Sequence, residues 1–547
     1  MSSVHSAPTD SAIAAAPTAY PAAVDKAKIV DEATGKVWDA STIPVPTTLV
    51  DTPVSSIPTI VSTVRANWTS TRALHSVEFR KQQLRAFAQL LNDNEDLVLA
   101  ALVRDLHKSR LQGIMSELAV LQNDVAECLH NVDKWAKPEK PSRALVNLAD
   151  GVAVRKEPLG VVLVMGAWNY PLLLTLAPVV AAIAAGNAVI IKPSEVSPHT
   201  AQVIADLIPR YLDTRFFRVV NGAVPEATEL LKHRFDHIFY TGNGAVGRIV
   251  MRAAAAHLTP VTLELGGKSP AIVHPSADLT ATARRIVFGK FMNAGQTCVA
   301  PDYVLVPRAL QEPLVAELQK AITEFYSVDP KASPDYGRIV NQRHFDRLAA
   351  YLPSIDTTAN EGLAAFGGRT VVGETALWDR ELKYIPPTVL ADVGVDAPIM
   401  QDEIFGPILP IIPIDDAVAT DDEEEFAGGD AFSRAAAALV GRRDHPLALY
   451  VFACDMRAAE WMLAHTQSGG AVVNDTIMHL VTSGLPFGGV GPSGMGNYHG
   501  KHGFDTFSHQ RATLVKSMGM ESVNALRYAP VTEKFVNVAR WFTFSKP

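Results

Sequence analysis

From Leu159 to Ile191 the chain carries no charged residue. An apolar run longer than about 18 residues usually signals a membrane helix, but this one is interrupted. "AWNYP" breaks it near its start, Pro178 lies inside it, and Gly186-Asn187 breaks it near its end. The pattern predicts a strand over "GVVLVMG", then a helix over "LLLTLAPVVAAIAAG" with Pro171 at its start and Gly186 past its end, then a strand over "AVIIK". The alternation continues with a helix from Ser197 to about Tyr211, a strand over "FFRVVNG" and a short helix from Glu226 to His233. A strand over "DHIFYTG", a helix from Ala245 to about Ala256 and a strand over "VTLELGG" follow. Strands that are continuous apolar runs and alternate with helices predict an α/β fold, a parallel doubly wound sheet covered on both faces.

The rest divides more loosely. Residues 60–135 show apolar positions at helical spacing and read as helices covering the sheet. From residue 269 the alternation restarts, which predicts a second α/β domain. The expected boundaries are a disordered extension over 1–58, rich in Ala, Pro, Ser and Thr, and a dinucleotide-binding domain over 59–266. A catalytic domain over 267–473 follows, with an acidic insertion near 415–436 read as a solvated loop. Residues 474–547 return to the first domain and add an oligomerisation segment and a tail.

Composition narrows the function. The net charge of -8 leaves no basic footprint for nucleic acid. Three widely separated cysteines, Cys128, Cys298 and Cys454, exclude a disulfide framework and a Cys-rich zinc site, and no metal site is expected. No signal core opens the chain and no transmembrane segment is expected. A cytoplasmic location fits, with peripheral contact with membranes left open.

In parallel sheets of this kind ligands bind beyond the carboxyl ends of the strands. The polar residues there are Asn169, Lys192 with Glu195, Asn221-Gly222, the loop Gly242-Asn243-Gly244-Ala245-Val246-Gly247, and Glu264. The loop spells G-x-G-x-x-G, which by itself suggests a dinucleotide fingerprint with Glu264 as its ribose-binding acid. It follows the fourth strand, however, and not the first. Free cysteines usually pack as small hydrophobes, and Cys128 and Cys454 read that way. Cys298, in the polar loop "FMNAGQTCVAPDY", is placed where a thiolate could meet a substrate.

Taken together, "WNYP", "IKPSE", "VTLELGGKSP", "NAGQTC", "EIFGP" and "PFGGVGPSGMG" resemble the aldehyde dehydrogenase superfamily, and the separation of Glu264 from Cys298 matches its spacing. Longer strings such as "FDHIFYTGN" and "NYHGKHGFDTFSHQR" resemble its class 3 branch, the fatty- and aromatic-aldehyde type. The resemblance spans roughly residues 60–530 and implies oxidation of an aldehyde to its acid through a thiohemiacetal and a thioester. It implies Cys298 as nucleophile, Asn169 with the Cys298 N–H as oxyanion donors, and Glu264 as the base that activates water. The cofactor would be NAD, with NADP also accepted. Lys192 and Glu195 would hold the adenosine ribose and Glu403 the nicotinamide ribose, with Phe405 packed nearby. Tyr170, Asn474 and Phe487 would line a tunnel for a hydrophobic aldehyde, whether long-chain, aromatic or apocarotenal. His499 and His502 read as structural. A homodimer is implied, with "FSHQRATLVKS" as a candidate strand for pairing between subunits. The rival readings are a reductive acyl-CoA or acyl-phosphate enzyme, which has no use for a hydrolytic base, and a non-catalytic binding protein, which would not need Cys298, Glu264 and Asn169 together.

Overall fold

A computed structural model describes residues 28–30, 37–143, 150–351, 369–373, 375–415, 429–519, 521–525, 528–530 and 532–543. Its first sheet has six strands in the order Gly494–Met495, Val261–Glu264, His237–Thr241, Val161–Met165, Ala188–Lys192, Phe217–Val219. The five strands expected from the alternation pair in parallel. The sixth is a short antiparallel edge that sets Gly494 opposite Glu264. The strands Val161–Met165, Ala188–Lys192 and His237–Thr241 are buried along their whole length, which is why they are apolar at successive and not alternate positions.

The helix Leu173–Ala185, the charge-free segment of the sequence, lies buried between this sheet and the helices Val77–Asp93 and Ala119–Trp135. Gly186 ends it in a left-handed conformation with φ 94, where a Cβ would meet the Arg80 guanidinium. Among the described residues no helix is long and apolar enough to cross a membrane.

The second sheet has seven strands in the order Arg369–Val372, Thr388–Ala391, Ile408–Ile414, Tyr303–Pro307, Pro270–Val273, Ala448–Phe452, Gly470–Val473, parallel except for the first pair. The chain passes from Glu264 at the end of a strand in one sheet to Pro270 at the start of a strand in the other, so the two sheets meet at the Gly266-Gly267 link. The strands Gly151–Pro158 and Ser508–Val515 form a separate antiparallel ribbon, with Leu514 and Val515 exposed. The segment expected to pair between subunits thus has its first partner within its own chain.

Two expected boundaries change. The region 1–58 is not one disordered extension. Lys28–Val30 pairs with Val37–Asp39, Ala40 and Val45 are buried, and the chain then runs as an extended strap to the helix Ile57–Thr71. Its composition conceals this because the strap's backbone is satisfied by distant partners and not by a ladder. The Val50 N–H donates to Gln202 Oε1 at 2.8 Å, the Thr52 N–H to the Asn221 carbonyl at 3.0 Å, and the Asn221 N–H to Thr52 Oγ1 at 3.0 Å. Residues 1–27 and 31–36 lie outside the described residues. The acidic insertion also ends earlier than 436, because Asp430 caps a helix over Ala431–Gly441; its stretch 416–428 lies outside the described residues. We predict that deleting residues 1–53 lowers the melting temperature by several degrees, since buried apolar groups and three backbone hydrogen bonds are lost. Calorimetry checks this; an unchanged melting curve would mean that the strap contributes nothing.

Candidate active site

Cys298 sits on a loop that the chain forms at some conformational cost. The helix Leu279–Phe291, capped by Asp278, gives way to a single turn in which Asn293 (φ 53), Ala294 (φ 52) and Gly295 (φ 73) are all left-handed. Non-glycine residues in this region cost about 1 kcal/mol or more each and persist only where their surroundings impose them. Here Gly406 closes on Gly295 so tightly that a Cβ would come within 2.3 Å of the Gly406 carbonyl. The buried Gln296 amide locks the turn. Its Nε2 donates to the Asn293 and Arg338 carbonyls, both at 3.0 Å, and its Oε1 accepts from the Val340 N–H at 2.9 Å.

The same loop gathers residues from the other sheet. Asn169 Nδ2 donates to the Gln296 carbonyl at 3.1 Å, and Asn293 Nδ2 donates to the Asn169 carbonyl at 2.9 Å. The Tyr170 hydroxyl lies 2.7 Å from Thr297 Oγ1. Asn169 and Tyr170 are therefore brought to the Cys298 loop. Cys298 itself is partly exposed, unlike buried Cys128.

Glu264 is only 2% exposed and neither carboxylate oxygen has a hydrogen-bond partner. Burial alone pushes its carboxyl well above the usual range. Burial, and after it the charge of Asp302, pushes Glu403 up to about 8. Burial, then the charges of Glu403 and Glu264, raise the Cys298 thiol, against which the N–H groups of Cys298 and Val299 act. Glu264, Glu403 and Cys298 thus each favour the neutral form.

A dinucleotide fits the open edge of the first sheet. Lys192, 5% exposed, pairs with Glu195 at 3.2 Å beyond the strand Ala188–Lys192. Asn221 Oδ1, Thr241 Oγ1 and both Glu264 oxygens, buried at the ends of neighbouring strands, lack partners. Acceptors without donors along one edge suit a polar ligand. Asn243 caps the helix Gly244–Ala255 through the Val246 N–H, with Ala245 in its first turn and the free N–H groups facing this edge. The glycines of the motif are not equivalent. A Cβ on Gly242 would lie 2.2 Å from the Tyr240 hydroxyl and one on Gly247 3.0 Å from Leu265, whereas one on Gly244 would touch only Arg248 at 3.4 Å. Gly266 leaves room for Glu403, whose carboxylate would lie 2.2 Å from a Cβ there. Phe405, itself left-handed at φ 50, meets the Trp168 ring edge-on at 5.3 Å.

Two apolar walls flank Cys298. One is the cluster of Ala167, Tyr170 and Leu174, with Leu173 and Met292 against it. The other starts at Tyr450, whose hydroxyl donates to the Val299 carbonyl, and continues through His479, Phe487 and His499, the last two rings stacked at 5.3 Å. Burial lowers His479 and His499 to about 4, so both rings are neutral near pH 7 and behave as apolar lining. Asn474 is tied to a neighbouring strand end. Its amide is used at both ends on the Ala453 backbone, at 2.8 Å each, and it holds a left-handed turn at φ 59. Among the described residues no group of His, Cys and carboxylates could hold a metal.

Sequence reasoning missed Trp168, the locking role of Gln296, and a buried pair, Lys108 and Glu117, behind Asn169. Gln296 and Trp168 stand inside quoted motifs and could have been found. Lys108 lies in the short link after the helix Glu95–Leu106 and Glu117 in a helical turn, both within a stretch whose charges read as solvated.

The profile of the aldehyde dehydrogenase family matches residues 55–513. Aldehyde dehydrogenase family 3 member B1 of Rattus norvegicus is 49% identical over 463 residues, covering 85% of this chain and 92% of that relative. The rat aldehyde dehydrogenase described as dimeric and NADP-preferring is 46% identical over 481 residues, covering 88% and 99%. Among solved structures, the substrate-bound state of Staphylococcus aureus AldH superimposes with a TM-score of 0.81 at 38% identity, covering 89% of this chain and 99% of that one.

Proposed function

Because this chain belongs to the aldehyde dehydrogenase family, we propose that it oxidises a hydrophobic aldehyde to the carboxylic acid through covalent attachment to Cys298. It is an NAD(P)-dependent aldehyde dehydrogenase. The observation that carries the finer reading is the pairing of a partly exposed thiol with a buried carboxylate, Glu264, that has no structural partner. A carboxylate engaged in folding would be hydrogen-bonded; one left bare by its burial has the raised proton affinity a general base needs near neutrality.

The Cys298 thiolate attacks the aldehyde carbon and forms a thiohemiacetal. The Asn169 amide and the Cys298 N–H donate to the developing oxyanion. When bound, the cofactor accepts the hydride that makes this step an oxidation, and the thioester remains on Cys298. Glu264 then removes a proton from water, which adds to the thioester carbon and releases the acid. Lys192 and Glu195 would hold the adenosine ribose, and the N–H groups in the first turn of the helix Gly244–Ala255 would receive the pyrophosphate. Glu403 and Phe405 would orient the nicotinamide end. The Glu195 carboxylate repels a 2′-phosphate and so favours NAD, with NADP accepted less well. A reductive acyl-CoA or acyl-phosphate reaction would leave Glu264 without a task.

The apolar walls with Tyr170 and Phe487 support a long-chain or aromatic aldehyde. The exposed ribbon Ser508–Val515 supports assembly as a homodimer, which sedimentation tests. The function is tested by following NADH or NADPH formation from decanal, hexadecanal, a benzaldehyde and an apocarotenal. Turnover confined to small polar aldehydes, or reduction of an acyl-CoA in its place, would refute it.

Two further outcomes follow. Asn169→Ala should lower kcat by about 10²–10³-fold while NAD binding, read by fluorescence, stays unchanged. The pH profile should rise from the acid side. Below its raised value Glu264 holds its proton and cannot act as the base of deacylation, and the raised Cys298 thiol is not ionised, so kcat climbs as pH increases through neutrality. A profile that falls over that range would mean that neither group must lose a proton.

A further inference from the structure

Lys108 and Glu117 form an ion pair with Nζ to Oε1 at 2.5 Å and side chains 1% and 0% exposed. Both halves also grip the turn that carries Asn169. Lys108 Nζ donates to the Asn169 carbonyl at 3.0 Å and lies 3.8 Å from the centre of the Tyr170 ring. Glu117 Oε2 accepts from the N–H groups of Leu172 and Leu173 at 2.9 and 3.2 Å, where the helix Leu173–Ala185 begins. Glu117 stands in a single π-helical turn, Ile114–Leu118, a local irregularity that recurs at functional sites.

Folding does not account for this pair. Removing two charges from water costs about as much as their attraction returns, and an apolar pair of the same volume usually serves stability as well or better. What the pair provides is placement, since the Asn169 main chain is held by Lys108 on one side and Asn293 on the other. The amide on that residue has to meet an oxyanion, and displacement of a catalytic group by about 1 Å can cost on the order of 10²-fold.

We propose that the buried Lys108–Glu117 pair is a positioning device for the oxyanion donor, fixing the backbone from Asn169 to Leu173 so that the Asn169 amide and the Tyr170 ring keep their places beside Cys298. This rests on the reading of Asn169 as that donor.

The test uses full-length protein with Glu117→Gln, the double substitution Lys108→Met with Glu117→Met, Asn169→Ala, and each pair variant combined with Asn169→Ala. The double substitution leaves no uncompensated buried charge but takes the acceptor from the Leu172 and Leu173 N–H groups, so its melting temperature should fall by a few degrees with the protein still folded; Glu117→Gln keeps an acceptor oxygen there and provides a second folded variant. Both should lower kcat about 10- to 100-fold, with NAD affinity by fluorescence titration unchanged. In the Asn169→Ala background neither should lower kcat much further, because the effect travels through that amide. Wild-type kcat in the double variant, or losses that multiply fully with that of Asn169→Ala, would overturn the proposal. Wild-type kcat in Asn169→Ala itself would remove the donor reading, and the positioning role with it. A loss in Asn169→Ala with none in the pair variants would remove the positioning role alone.

Discussion

Cys298→Ala is expected to lower aldehyde turnover by roughly 10⁴-fold or more. The loss should be this large because no other nucleophile is available at the site. Cys128 is buried within a helix and Cys454 is exposed just beyond the strand Ala448–Phe452. Nor does another group near Cys298 substitute for it. The Tyr170 hydroxyl is engaged with Thr297, Tyr450 donates to Val299, and burial raises both phenols further above their ordinary range. The substitution should leave folding intact, since the turn before Cys298 is held by Gln296 and Gly295 and not by the thiol. Steady-state kinetics beside thermal melting and NAD titration check this. A variant that melts and binds NAD normally yet keeps more than a few per cent of wild-type turnover would show that the reaction is not covalent at Cys298.

Glu264→Gln is the second large effect, with an expected loss of about 10²–10⁴-fold in steady-state turnover. Unlike the loss of Cys298, it should spare the first chemical step. A rapid burst of NADH, stoichiometric with active sites, should survive while later turnovers stop, because the amide cannot take a proton from water. The fingerprint reading of residues 242–247 makes the opposite forecast, in which a ribose-binding acid is lost and NAD affinity falls without a burst. Stability separates a specific effect from damage. Below the ordinary carboxyl value of 4.5 Glu264 is protonated whether the chain is folded or not. Above it the unfolded chain loses the proton first, so the wild-type fold loses stability as pH rises toward the raised folded value. Glutamine has no such proton to lose. The variant should therefore melt at or above the wild-type temperature near neutral pH, and a large drop would point to a structural role for this carboxylate.

The fold was legible because burial on both faces makes parallel strands readable as unbroken apolar runs, and because Gly186 and Asn243 sit where helix ends require them. Cys298, Glu264 and Asn169 were legible only through motifs, since neither a left-handed run at Asn293–Gly295 nor the missing partners of Glu264 can be seen in a string of letters. The bonds of the Asn474 amide to the Ala453 backbone were not legible, because a residue that pins a neighbouring backbone is indistinguishable in sequence from one that faces a ligand. The strap was missed for a related reason: its hydrogen bonds go to Gln202 and Asn221, roughly 150 residues away or more, and no periodicity marks them. Lys108 and Glu117 illustrate the limit of reading charge as exposure.

The central claim, that oxidation runs through an acyl thioester on Cys298 that Glu264 helps to hydrolyse, is tested most directly by mass spectrometry of the Glu264→Gln variant mixed with decanal and NAD and quenched in acid. The account predicts one decanoyl group per active chain, mapped to the peptide containing Cys298 and absent when NAD is omitted. No acyl adduct during the NADH burst, or an adduct that maps to Cys128 or Cys454, would contradict it.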